Sequence, residues 1–230
     1  MRLADYPAFL REALAPLFAR RLAVPVLLLT VLLTATNIVI VKTAPQAGGA
    51  ELPPLFIAAA IARVGGLLVM TVAIMRLLAA SRRPPWRPDS AFWLTLLVSV
   101  AIFGISALID LAIGGRSDPL SMAASGVALT LIVAPVATWL VALAVEKPLA
   151  WSPLPWLRDF RIWLPQLAFW AVLLLPPLAF LHSAIDLAIL HDPDSTWFWP
   201  AMLFDGPLSA VILLIGFGLN NAAYRRVARS

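Results

Sequence analysis

The sequence predicts an all-α, polytopic membrane protein with six transmembrane helices, both termini cytoplasmic, and an N-terminal interfacial amphipathic segment. Three observations carry this prediction. Of 230 residues, 62% are hydrophobic and only 13% charged, with a mean hydropathy of +0.93, whereas soluble domains average about 25% charged. Several apolar runs reach the roughly 20 residues that a helix needs to cross about 30 Å of hydrocarbon. Lysine and arginine, finally, are segregated to one side of those runs. Runs and short connectors use nearly the whole sequence. It therefore holds a six-helix transmembrane domain at residues 22–222, a cytoplasmic interfacial segment at 1–21 and a basic cytoplasmic tail at 223–230. The net charge of +5 is spread over the connectors rather than gathered on one segment with interleaved aromatics, which argues against a nucleic-acid partner. With no cysteine, the chain has no disulfide, thiol nucleophile or thiolate metal ligand.

In chain order, residues 1–21 place Leu3, Tyr6, Leu10, Leu14 and Leu17 near one helical face, the pattern of a helix lying on a membrane surface. Pro7 and Pro16 argue against one straight helix there. The apolar run that follows exceeds the roughly 7–15 residues of a signal-peptide core, so an uncleaved first span is expected at 22–41. Gly48, Gly49 and Pro53 mark the loop before span two, at 55–80. The basic, proline-rich SRRPPWRPDS turns the chain into span three, at 91–113. Span four, at 122–145, contains Pro135, which predicts a kink. The connector EKPLAWSPLPWLRDFR mixes charge, proline and tryptophan as an interfacial segment does. Span five begins near residue 162, and Pro176 and Pro177 predict a break or bend in it, beyond which LHSAIDLAIL continues as a helix close to the outer surface. HDPDSTWFWP then leads into span six, at 201–222.

Basic residues set the orientation. Fourteen lie before span one, around the second and fourth connectors, and after span six; only Lys42 and Arg116 fall on the opposite side. An excess of this kind marks the cytoplasmic face. Trp86, Trp93, Trp151, Trp156 and Trp163 then fall near the inner interface, and Trp197 and Trp199 near the outer one.

The anomalous residue is Arg63, which stands inside the apolar run LFIAAAIARVGGLLVMTVAIMRLLAA. A cation in hydrocarbon costs roughly 2.5–3.5 kcal/mol on insertion scales and usually faces a protein interior or a wet cavity. At 1.5 Å per residue Arg63 lies about 12 Å below the outer edge, and its side chain leans back toward that edge. Asp110 near the outer end of span three leans inward by the same rule, so the two are expected to pair, with Asp205 of span six and Asn37 of span one at similar depth. The plain expectation is an ion pair pinning spans two and three. The functional one is an anion or headgroup site in the outer half of the bundle, formed by Arg63, Asp110, Asn37, Ser106 and Asp205, with Ser125 as a further hydrogen-bonding group. Gly65 and Gly66 permit close backbone approach beside it. His182, Asp186 and His191, followed by Asp192 and Asp194, are the one set with metal-ligand chemistry, since imidazole and carboxylate suit zinc and related ions. Acidic residues and histidines in an outer loop are ordinarily solvated, so no metal and no cofactor is expected. Ser125–Gly126 lacks the remainder of an intramembrane serine-protease pattern, and no H-E-x-x-H or phosphate-binding loop occurs.

Two stretches carry a family resemblance. VALAVEKPLAWSPLPWLRDFRIW, residues 141–163, and GFGLNNAAYRRVAR, residues 216–229, resemble a group of bacterial six-span proteins similar to the membrane domain of some glycerophosphodiester phosphodiesterases. The resemblance implies the six-span fold but no catalytic residue, because the phosphodiesterase site of that group belongs to a separate soluble domain. The function expected from the whole is a non-catalytic inner-membrane component: an accessory subunit, scaffold or lipid-handling protein, with membrane lipids, a membrane-protein partner or a second copy as partners. The alternatives are a small transporter with its site around Arg63 and a membrane-embedded lipid-modifying enzyme.

Overall fold

The computed structural model describes the backbone of residues 5–44, 52–112, 119–146 and 149–229; within these, the side chains of residues 103, 106, 107, 109–112, 119–125, 127, 129, 130 and 160 fall outside the description. Among the described residues the only regular secondary structure is helical. The helices are α1 (Asp5–Leu14), α2 (Ala23–Thr43), α3 (Pro54–Leu78), α4 (Ser90–Ala112), α5 (Pro119–Val145), α6 (Leu154–Arg158), α7 (Leu164–His191) and α8 (Phe198–Val227), with short 3-10 turns at Ala15–Phe18, Arg20–Leu22 and Phe160–Ile162. Four stretches, Arg20–Thr43, Pro54–Leu78, Leu164–His191 and Phe198–Val227, are long and apolar enough to cross a membrane; shorter apolar stretches occur at Ser90–Ile102 and Leu131–Val145.

The helix α8 is the centre of the bundle, packing on α1, α2, α5 and α7, and half of its apolar stretch is buried. Small residues allow this. A Cβ on Gly206 would collide with the Thr34 side chain of α2, and one on Gly218 would stand 2.6 Å from the Ala13 carbonyl oxygen of α1. Close backbone approach of this sort is how helices pack where lipid supplies no hydrophobic drive between them. On α3, Gly66 rather than Gly65 makes the close approach, against Leu32; Gly65 has nothing within 4 Å.

Two expectations change. The Pro176–Pro177 pair does not break α7, which runs unbroken over 28 residues to His191. Membrane helices tolerate proline because neighbouring groups re-satisfy the freed carbonyls. The second change concerns α1, whose Phe9 and Ala13 are fully buried against the bundle. The Trp170 indole N–H donates to the Tyr6 carbonyl (2.8 Å), and the Arg226 guanidinium lies 5.0 Å from the Phe9 ring centroid and 3.5 Å from the Glu12 carboxylate. The helix therefore docks on α7 and α8 with the Phe9–Ala13 side inward. Of the residues read as its apolar face, Tyr6, Leu10, Leu14 and Leu17 are half-buried, and Leu3 lies outside the described residues.

At the opposite end from Arg63, a second arginine organises the structure. Arg76 is 1% exposed. Its Nε donates to the Ala144 carbonyl (3.1 Å), its Nη1 to the carbonyls of Pro84 (3.0 Å) and Arg87 (2.8 Å), and its Nη2 to Asp89 Oδ1 (2.6 Å). Arg83 donates to Asp89 Oδ2 (2.8 Å) and to the Glu146 carbonyl (2.6 Å). The connector between α3 and α4 is thus tied to the end of α5. It begins at a tight helix end in which Ser81 N–H bonds the Arg76 carbonyl and Ala80 N–H the Leu77 carbonyl, with Ala80 at φ 54°. That is a Schellman termination, built here on alanine instead of the usual glycine.

Asp89 also accepts from the Phe92 N–H (2.9 Å) and so caps α4. Burial alone raises its pKa; the Phe92 N–H, the Arg83 and Arg76 hydrogen bonds and the Arg76 charge outweigh that and hold it at about 2, below the ordinary 3.8. A carboxyl depressed by folding contributes stability above its unfolded pKa and loses it as pH falls through the folded one. The melting temperature should therefore drop between about pH 4 and pH 2, and the curve of Asp89→Asn, lower at pH 5, should converge on it at the acid end.

Candidate functional site

Four helices bring ionisable and amide side chains to one depth. From the end of the bundle where α2 and α7 finish and α3 and α8 begin, the rise per residue places Asn37 at about 9 Å, Arg63 and His182 at about 14 Å, Asp186 at about 8 Å, Asp205 at about 11 Å and Ser209 at about 17 Å. The i, i+4 spacing puts His182 and Asp186 on one face of α7, and the same spacing puts Asp205 and Ser209 on one face of α8.

Asn37 is the hub. It is 5% exposed. Its amide nitrogen donates to Asp205 Oδ2 (3.0 Å) and Asp186 Oδ1 (3.3 Å), while its carbonyl oxygen accepts from Arg63 Nη1 (2.8 Å). One amide therefore links the cation of α3 to both carboxylates. The other oxygens of those carboxylates turn to the imidazole of His182, with Nδ1 at 2.5 Å from Asp205 Oδ1 and Nε2 at 3.5 Å from Asp186 Oδ2. Ser209 Oγ lies 3.3 Å from the same Nδ1. An imidazole with carboxylate oxygens at both nitrogens fits the doubly protonated ring, which donates from both. In that state the two carboxylates balance His182 and Arg63, and the cluster is neutral.

Asp205 is the sealed member, its side chain 1% exposed, whereas those of His182 and Asp186 are 25% and 24% exposed. The accessible side is a cleft of about 200 Å³ lined by Arg63, His182 and Ser209 together with Leu33, Leu67, Ile212 and Leu213. It has a polar wall and an aliphatic one.

The structure brings together Arg63, Asn37 and Asp205 of the expected set. The side chains of Asp110, Ser106 and Ser125 lie outside the described residues. Among the described residues Arg63 forms no ion pair; its bond is to Asn37. Of the expected metal ligands, His182 and Asp186 stand together, joined by Asp205 rather than by His191, which ends α7 exposed. His182 lies well inside its helix, because α7 continues past it for more than two turns. The unbroken apolar register of LAFLHSAIDLAIL through the proline pair was the signal that would have placed it.

Several hydroxyls in the apolar helices are satisfied locally instead. Thr36, Thr95, Ser99 and Thr138 each donate to the carbonyl four residues earlier. Glu146 sits apart, just beyond α5; burial pushes its carboxyl up against the opposing effect of the Tyr224 hydrogen bond.

No family model, curated protein or solved structure matches this chain.

Proposed function

We propose that the protein is a six-span bacterial inner-membrane protein, N-in and C-in, that handles an anionic amphiphile, of which a lipid headgroup is the nearest example, at the Arg63–His182 cleft. Support for six spans comes from the lengths of α4, 23 residues, and α5, 27 residues, which join the four longer apolar stretches. The orientation rests on the fourteen basic residues of one side against two on the other.

One observation carries the functional reading: the cleft pairs a guanidinium without a carboxylate partner among the described residues with a wall of Leu33, Leu67, Ile212 and Leu213. A phosphate or carboxylate head docks on Arg63, for which a forked, planar cation is suited. Its first carbons lie along the leucines. About 200 Å³ is below the usual 300–1,000 Å³ of small-molecule pockets, so the remainder of the amphiphile extends into the lipid. The position of His182 between two carboxylates favours movement over mere holding, since such chains serve proton-linked carriers in membranes.

Native mass spectrometry of detergent-solubilised protein, with anionic phosphatidylglycerol and zwitterionic phosphatidylcholine in competition, tests this. Wild type should prefer the anionic lipid, and Arg63→Gln should lose that preference by roughly tenfold, the equivalent of about 1.4 kcal/mol. Equal retention of both lipids by wild type, or an undiminished preference in the variant, would falsify the assignment. Flux of labelled anionic lipid across reconstituted vesicles then separates carriage from holding.

A further inference from the structure

We propose that His182, Asp186 and Asp205 form a binding site for one divalent transition-metal ion of the zinc class. One ligand atom from each of the three lies within 4.8 Å of the others. His182 Nε2 and Asp186 Oδ2, 3.5 Å apart, already have the spacing of two ligands of a tetrahedral ion, about 3.4 Å for bonds of about 2.1 Å. Asp205 Oδ1, on the neighbouring helix, stands 2.5 Å from the other ring nitrogen, Nδ1, and becomes the third donor, from the buried side, when the His182 ring turns to present one nitrogen between the two carboxylates.

The arrangement around the three argues for a ligand set rather than a fortuitous ion pair. Ligating carboxylates are normally held by outer hydrogen bonds. Here Asn37 holds one oxygen of each, Asp186 Oδ1 and Asp205 Oδ2, and leaves the opposite oxygen of each turned toward the imidazole. Arg63 in turn fixes which way the Asn37 amide points, because its Nη1 occupies the carbonyl oxygen. The donor set, one imidazole nitrogen and two carboxylate oxygens, suits zinc, manganese or ferrous iron better than calcium, which takes six to eight oxygens.

Binding is an exchange. The ion takes the place of the ring proton on His182, which leaves to solvent, so one proton is released per ion bound. Formal charge then rises from zero to +1: two from the ion and one from Arg63, less two from the carboxylates. Three protein ligands leave a fourth position, on the side where His182 and Arg63 line the cleft. A water or an anionic oxygen completes it there; this last point rests on the headgroup reading, whereas the metal site does not.

The test uses tag-free protein in detergent, equilibrated with Zn²⁺, freed of unbound ion and analysed by plasma mass spectrometry together with a thermal melt. Wild type should carry about one zinc per chain and melt higher with it than after treatment with EDTA. Asp186→Asn and His182→Gln should hold less than about a tenth of an equivalent, and His191→Gln should hold the full amount. The Asp186 and His182 side chains are about a quarter exposed, so at least one of these variants is expected to fold; the melt identifies it. Wild type holding less than about a tenth of an equivalent, or a folded Asp186→Asn or His182→Gln retaining one, overturns the site. Asp186→Asn separates the two readings: Asp186 does not line the cleft, so the variant should lose zinc while keeping the anionic-lipid preference carried by Arg63. Zinc bound without any lipid preference leaves the metal site standing and removes the headgroup reading.

Discussion

Replacing Arg76 with methionine should lower the melting temperature in detergent by roughly 10 °C, from a loss of about 3–5 kcal/mol. The guanidinium is 1% exposed and spends its donors on three carbonyls and one carboxylate contributed by α5, the connector and the cap of α4. Methionine matches much of the volume but removes the fork. The Pro84 and Arg87 carbonyls keep the Arg87 and Asp89 N–H groups, and Asp89 keeps Arg83. The loss therefore falls chiefly on the charge-assisted bonds to Asp89 and the Ala144 carbonyl, each about 1.5–3 kcal/mol. Lysine keeps the charge yet cannot reach groups arranged around a planar fork, so Arg76→Lys should recover less than half of the loss. Fluorescence-detected size exclusion after heating gives the comparison. A melting point of Arg76→Met within about 2 °C of wild type would mean that the network contributes nothing net.

Gly206→Val should separate α2 from α8 and dismantle the site with them. The first added carbon already lands on Thr34, with the Thr34 Cβ and Cα 2.8 and 3.0 Å from it, so the helices must move apart. Overpacking of this kind costs about 1–3 kcal/mol. The larger consequence is local, because Gly206 adjoins Asp205, and Asn37, one turn along α2 from Thr34, is bonded to that carboxylate at 3.0 Å. Zinc uptake and anionic-lipid preference should both be lost, while Gly65→Ala, with nothing within 4 Å, should change neither and melt within about 0.5 kcal/mol of wild type. Undiminished zinc in Gly206→Val would show that the α2–α8 approach does not shape the site.

Hydropathy made the apolar helices legible, since length and composition alone decide whether a helix suits a membrane. Helical rise and lean also put Arg63, Asn37 and Asp205 at one depth, as the structure has them. What escaped was the contribution of α7. Pro176 and Pro177 obey a rule taken from helices in water, where freed carbonyls and ring clashes end the helix; inside a bundle the penalty is absorbed by neighbours, and the register carries on to His182 and Asp186. Arg76 escaped for a different reason. By charge it counts as one more inner-face cation, and nothing local announces that its partners are carbonyls of Pro84, Arg87 and Ala144, the last of them 68 residues away. Pairings between distant segments leave no periodic trace. For Arg63 the sequence named Asp110, whose side chain lies outside the described residues, with Asp205 in reserve; toward Asp205 the structure interposes the Asn37 amide, a distinction that depth cannot draw.

The docking of α1 against α8 has a consequence for biogenesis. Arg226 of α8 reaches the Asp5 carbonyl at 3.4 Å across a separation of 221 residues, and Asn37 finds Asp205 across 168. A ribosome delivers α1 and α2 early and α8 after every other described helix. Until then Phe9 has no buried seat and Asn37 no carboxylate on α8, and contacts of such long range are the slow ones to form. Closure around α8 therefore comes last among the described helices. The Asn37–Asp205–His182 cluster comes into existence only at that step, so a nascent chain whose earlier helices have formed still lacks it.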